Sequence, residues 1–207
     1  GDTVGMLLAD AARFVAARDW YEERGIPYRR GYLFHGVAGS GKSSAVLAMA
    51  SALGRPVYDL GLSDADMNES QLLSAMGAME DGGILLVEDI DAVPVSRSRD
   101  MVATDGAKGG VTLASLLNAL DGVGAPEGRL LVMTSNHPAK LDAALTRPGR
   151  VDVQIVFGPA TVEQASSLFR RFYQGAAPDM ADEFGRAAAT REVSMAALQE
   201  HLLRHRE

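Results

Sequence analysis

Residues 35–44 read HGVAGSGKSS, and within them Gly36, Gly41, Lys42 and Ser43 satisfy the spacing G-x-x-x-x-G-K-[ST]. Small residues between the two ends let a backbone curl and aim its amides at phosphate oxygens. A helix beginning at the Lys adds the positive end of its dipole. The expected nucleotide set is therefore Gly36, Val37, Ala38, Gly39, Ser40, Gly41, Lys42, Ser43 and Ser44. Lys42 is expected to reach the β- and γ-phosphates and Ser43 to place its hydroxyl on Mg²⁺. Ser44 also reads as a packing residue of the helix, and His35 as a wall of the pocket.

A second group follows an aliphatic run. Residues 84–91 read ILLVEDID, which puts Glu88, Asp89 and Asp91 at the end of an apolar strand. One such carboxylate positions Mg²⁺, usually through water, and another polarises the attacking water. By position Glu88 takes the metal side, with Ser43, and Asp89 the water. Asp91 is left as a supporting residue, a subunit-edge residue or a cap. Residues 130–136 read LLVMTSN, so Asn136 can sense the γ-phosphate or the water from a neighbouring strand, and Thr134 is a further candidate of that kind. An Asn in that position also starts turns readily. Arg147 and Arg150 flank Pro148-Gly149, a turn that fixes the spacing of two guanidiniums. They suit the completion of a neighbouring subunit's site, or an ion pair with Asp142 or Asp152.

The elements that must position these groups are legible as alternation. Apolar residues at three-to-four spacing over 4–21 predict an amphipathic helix, broken by GIPYRRG. Short apolar strands then alternate with helices: YLFHG, KSSAVLAMASALG, PVYDLGL, ESQLLSAMGAM, GILLVEDID, TLASLLNALDG, GRLLVMTSN and VDVQIVF. That pattern predicts an α/β fold, a parallel sheet sandwiched by helices. After Pro159 the strands stop, and helices are expected from Thr161, near 178–188 and near 194–205. Thr161 with Gln164 forms a candidate capping box, and Ser194 a candidate cap. The expected division is an α/β body over 1–158 and a small helical domain over 159–207.

Composition limits the rest. The chain of 207 residues has ordinary globular composition, no cysteine and a formal charge of −7. Disulfides and thiolate metal sites are excluded, and a nucleic-acid groove is disfavoured. Arg24, Arg29 and Arg30 form one small basic cluster, read as solvent-facing or a subunit contact. His201 and His205 share metal-compatible spacing on a helix read as simply exposed. No apolar run is long enough to span a bilayer. The sequence opens on Gly, so an upstream anchor or domain stays open, and so does the compartment: cytoplasmic, or membrane-associated on the side that holds ATP.

Taken in this order, the phosphate loop, acidic strand end, Asn136 and the segment ALTRPGR resemble the AAA family of ring ATPases, from about residue 20 onward. The segments WYEERGIPYRRGYLFHG, LLVEDID and SSLFRRFY resemble one branch of it, which holds the mitochondrial translocase of the folded Rieske iron–sulfur protein. The resemblance implies a P-loop NTPase sheet with a helical lid, ATP and Mg²⁺, and a homo-oligomeric ring of six or seven subunits. It implies ATP hydrolysis coupled to remodelling or moving a protein client, a folded one included. The Glu88-Asp89 order is unusual for the wider family and ordinary in that branch. Val37 and Ala38 stand where the family often carries prolines. The segment LSDADMNESQLL, expected to face a central pore, has no aromatic to grip an extended chain. A signalling or defence switch with an upstream effector, a nucleic-acid motor and a small-molecule phosphotransferase are the competing readings.

Overall fold

A computed structural model describes residues 3–62, 67–93, 111–121, 127–175 and 177–205. The chain enters through α1 (Thr3–Val15) and α2 (Arg18–Glu22). Five strands follow: β1 (Arg30–Gly36), β2 (Val57–Asp59), β3 (Ile84–Val87), β4 (Leu130–Ser135) and β5 (Val153–Phe157). Between them lie α3 (Lys42–Leu53), α4 (Glu69–Gly77) and α5 (Leu113–Asp121). Three helices complete the chain: α6 (Val162–Phe172), α7 (Pro178–Thr190) and α8 (Met195–Arg204). Among the described residues no helix is long and apolar enough to cross a membrane.

The strands form one sheet in the order β2-β3-β4-β1-β5, with β2–β3, β3–β4 and β1–β4 parallel. This is the parallel α/β architecture that the alternation predicts, followed by the helices that the resemblance implies as a lid. Every residue of β3 and β4 is buried, which is why both read as unbroken aliphatic runs rather than alternating ones. In register, His35 lies opposite Ser135 and Val87 opposite Met133. Parallel pairing therefore delivers the C-terminal ends of β1, β3 and β4 to one edge of the sheet. Leu72, Met76, Leu116 and Leu120 cover β3 and β4 from the helices α4 and α5.

By packing the chain divides into two compact units. One comprises Gly1–His35 with Ser43–Ile155, the other Gly36–Lys42 with Val156–Glu207. In the second unit α6 packs on α7 and α8 around Ala160, Ala165, Ala188 and Leu198. The Thr161–Gln164 capping box forms, with both reciprocal bonds present, and Ser194 accepts from the Ala197 amide to start α8.

The first helix departs from expectation. One helix over 4–21 is replaced by two, broken at Ala16–Ala17 without Pro or Gly. The reason is tertiary. The Tyr28 hydroxyl lies 3.0 Å from the carbonyl oxygens of both Phe14 and Val15, acceptors that a continuous helix would use itself. The Tyr28 ring stacks on Phe14 at 4.5 Å.

Asp10 ties α1 to β1. Its carboxylate accepts from Arg30 Nε at 3.1 Å and Nη2 at 2.9 Å, and from the Tyr32 hydroxyl at 2.8 Å. Burial pushes the Asp10 carboxyl up, but hydrogen bonds from Arg30, Tyr32 and Arg13 outweigh it, so the group sits below the usual carboxylate range. A carboxyl with a depressed folded pKa stabilises the fold above its unfolded value, near pH 4, and loses that contribution as pH falls through the folded value. Asp10→Asn is expected to cost about 1.5–3 kcal/mol at neutral pH, the range for hydrogen bonds to charged groups. It should also flatten the loss of stability below about pH 4. Urea unfolding across pH 2–7 checks both, and an unchanged acid limb refutes the assignment.

Candidate active site

The edge of the first unit gathers the polar residues. Glu88 follows the last residue of β3, and its carboxylate accepts a hydrogen bond from the Ser43 hydroxyl. Two hard oxygen donors thus stand together, the kind of set that Mg²⁺ takes. Asp89 comes next with φ 46° and ψ 49°, a left-handed backbone unusual outside Gly, Asn and Asp. Two contacts hold it there. Its amide donates to Thr134 Oγ1 at 3.1 Å, and its carboxylate accepts from Asn136 Nδ2 at 2.8 Å. The Thr134 residue is buried, so its hydroxyl serves the backbone of the acid rather than a solvent-borne ligand.

Asp91 has a supporting position. Its carboxylate accepts from the Asn136 amide at 3.1 Å. Burial raises its pKa, but hydrogen bonds from Ser135 and from the Asn136 backbone prevail and hold it below the ordinary range. The Ser135 hydroxyl in turn accepts from the His137 amide at 3.0 Å. Asn136 is thus fixed at its backbone by Asp91 and aimed by its side chain at Asp89. Among the cap, edge and supporting readings of Asp91, the hydrogen bonding favours support.

One acidic residue escaped the sequence reading. Asp59 ends β2 on the same edge, and a cleft of about 150 Å³ is lined by Asp59, Gly61, Leu62, Glu88, Asp89 and the segment Ala92–Val93. Burial, and then the charge of Glu88, push the Asp59 carboxyl above its usual range. The signal was available: a carboxylate ending a strand in a parallel sheet marks the ligand edge as Glu88 does.

The phosphate loop belongs to the second unit and is shaped by it. The Val37 amide donates to the Phe157 carbonyl at 3.0 Å, and the Ala196 amide to the Gly39 carbonyl at 3.0 Å. A Cβ on Gly36 would lie 2.1 Å from the Phe157 oxygen, and one on Gly39 would lie 2.9 Å from Ala196 Cβ. Gly39 also has φ +71°. Gly36 and Gly39 are therefore both required by close approach and by a positive φ, which is +133° at Gly36. Ser40 closes the turn by donating from Oγ to the Val37 carbonyl at 2.6 Å. Lys42, only 7% exposed, donates from Nζ to the Gly36 and Val37 carbonyls at 3.1 and 2.9 Å. Val37, Ala38 and Ser44 are exposed, and Gly41 has φ +100°.

The two arginines differ. Arg150 pairs through Nε and Nη2 with Asp121, and donates from Nη1 to the Ala144 carbonyl. Its partner is neither of the acids considered from sequence. Asp142 accepts from the Ala144 amide, and Asp152 from the Gly31 and Gly149 amides. Arg147 is exposed, and among the described residues its guanidinium makes no ion pair. Its carbonyl closes the turn by accepting from the Arg150 and Val151 amides. Among the described residues no group of three or more His, Cys, Asp or Glu could hold a metal by itself, His201 and His205 included.

A parallel sheet with this loop and this acidic edge defines a nucleoside triphosphatase of the P-loop class. The family model "ATPase family associated with various cellular activities (AAA)" matches residues 32–159. The model "Mitochondrial chaperone BCS1-like, ATPase lid domain" matches residues 162–207. The chain belongs to the AAA family of ATPases, whose nucleotide is ATP and whose usual cation is Mg²⁺. It is 42% identical over 194 residues to the probable mitochondrial chaperone bcs1 of Schizosaccharomyces pombe, covering 94% of this chain and 42% of that protein. It is 38% identical over 203 residues to human mitochondrial chaperone BCS1, covering 95% and 48%. With the probable mitochondrial chaperone BCS1-A of Dictyostelium discoideum it shares 39% identity over 209 residues, covering 99% and 49%. The chain thus spans less than half the length of these relatives.

Thr134→Val should leave the Asp89 amide without its acceptor and cost about 1–3 kcal/mol. Thr134→Ser, which keeps the hydroxyl, should cost less. Urea unfolding of the pair decides this, and equal losses would assign the effect to packing.

Proposed function

We propose that this chain hydrolyses ATP to ADP and phosphate with Asp89 orienting and deprotonating the attacking water. The observation that carries the reading is the Asp89 carboxylate, held at 2.8 Å by Asn136 on a left-handed backbone beside the Ser43–Glu88 pair. The left-handed backbone, which Asp adopts more readily than most residues, turns this carboxylate onto the ligand-binding edge. In this reading the amides of residues 36–43 and the Lys42 ammonium bind the phosphates. Ser43 and Glu88 would hold Mg²⁺, Glu88 directly or through water. When bound, that cation offsets negative charge on the phosphate oxygens. Asn136 fixes the Asp89 carboxylate and senses the γ-phosphate or the water. Ser44, an exposed residue of α3, completes the nucleotide set from the helix's first turn.

Coupling is the second part of the proposal. The relatives are named mitochondrial chaperones, which supports a chaperone, so hydrolysis would drive remodelling or movement of a protein client in a homo-oligomeric ring of six or seven subunits. The functional division is a body over 1–158 and a lid over 159–207. Of the expected pore segment 62–73, residues 63–66 lie outside the described residues. The segment's lack of an aromatic favours a client that is not threaded. Arg147, exposed and unpaired among the described residues, is suited to reach a neighbouring subunit's ATP. Arg150 would have to leave Asp121 to do the same, which favours its holding the turn that presents Arg147.

Lys42→Ala is expected to abolish ATP binding, and calorimetry showing ordinary affinity would remove the loop assignment. Asp89→Asn should bind ATP yet turn over at least about 10²-fold more slowly, the scale of general-base catalysis. Full turnover would move the base elsewhere. Chains carrying Arg147→Ala or Asp89→Asn should each be inactive alone and regain ATPase activity when mixed. Activity of Arg147→Ala without the second chain would exclude action across subunits.

A further inference from the structure

Behind the Arg147–Arg150 turn, within the first unit, two guanidiniums pair with one carboxylate and a third lies buried beside them. Asp121 receives Arg29 at 2.8 Å on one oxygen and Arg150 on the other, at 2.7 Å from Nε. Arg30, which also borders the place, is neutralised by Asp10. Arg129 is buried, with 3% of its surface exposed, and donates from Nη2 to the Leu120 carbonyl. Its Nη1 is buried and, among the described residues, finds no acceptor. Arg29, Arg129, Arg150, Asp121 and Gly149 line a small cavity here of about 10 Å³, the room of one water-sized sphere. Asp152, whose two oxygens accept from the Gly31 and Gly149 amides, brings a second negative charge to the border of this cavity.

Three guanidiniums, those of Arg29, Arg129 and Arg150, against the carboxylates of Asp121 and Asp152 leave one positive charge in excess around a cavity sized for one small particle. A buried charge needs a partner of opposite sign. Burial, and then the charge of Arg29, push the Arg129 guanidinium down to about 10, which still leaves it charged at neutral pH. A water molecule could satisfy the free Nη1 but would leave the charge excess untouched. A phosphate or sulfate, with four oxygens, is too large for the space.

We propose that this cavity is a site for one small monovalent anion of chloride size, held by Arg129 Nη1 together with Arg29 and Arg150. The anion would complete the counter-charge that Asp121 and Asp152 supply only in part. It would then stiffen Arg150 and, through it, the turn from Arg147. Nothing in the inference rests on nucleotide hydrolysis, so its test stands apart from the tests of the ATPase site.

The full chain crystallised in bromide should show an anomalous peak in the cavity, about 3.3 Å from Arg129 Nη1, slightly beyond an N–H···O separation. In solution, sodium chloride should be compared with sodium gluconate at equal ionic strength. A chloride concentration tenfold above its Kd should raise Tm by about 3–6 °C. R129M, which removes the donor and the charge, should abolish that difference. An ordered water with no anomalous signal, or a Tm indifferent to the anion, overturns the proposal. The bromide map of the unaltered chain decides the matter even where R129M fails to fold.

Discussion

The site depends on one pairing, β3 beside β4 in parallel. Both strands are buried along their whole length, so their polar groups can emerge only at the ends. Parallel register makes those ends neighbours. The acids after β3 then meet Thr134, Ser135 and Asn136 on the close of β4. An antiparallel pairing would have sent the two groups to opposite edges. The left-handed backbone at Asp89 costs about 1–3 kcal/mol, as such conformations do. The Thr134 hydroxyl and the Asn136 amide offset it by satisfying an N–H and a carboxylate at that residue.

Support for the site is layered. Asp91 contacts Asn136 at its backbone, and Asn136 holds Asp89 with its side chain. Each acid has a partner suited to its place, which separates their roles despite adjacency in the chain. Glu88 accepts from a hydroxyl, Asp89 from an amide side chain, and Asp91 from Ser135 and the Asn136 backbone. Asp59 is the acid of this edge whose charge is disfavoured, by burial and by Glu88.

The phosphate loop is governed by a different set of contacts. Strand end, loop and lid helix share backbone hydrogen bonds at Phe157, Val37, Gly39 and Ala196. Two of its glycines are required by the approach of that backbone and of Ala196, apart from any ligand. A loop whose shape is held by lid residues can respond to movement of those residues, and they to it. On the first unit, the Arg147–Arg150 turn is anchored through Asp121, which also holds Arg29.

Much of this was legible in the chain itself. Aliphatic runs of β3 and β4, the G-x-x-x-x-G-K-S loop and the Thr161–Gln164 box are local patterns, and local chemistry determines them. The same holds for the alternation that specifies a parallel sheet. Tertiary structure alone decided the break in the first helix, because Tyr28 lies thirteen or more residues from the carbonyls it meets. It alone chose Asp121 for Arg150 over Asp142 and Asp152, 29 positions away in the chain. It alone brought Asp59 beside Glu88 and left Arg129 with a buried nitrogen and no acceptor among the described residues. Spacing along a strand or helix records which side chains share a face. Which distant carboxylate reaches a given guanidinium depends on how strands are ordered in the sheet, and no local pattern carries that order.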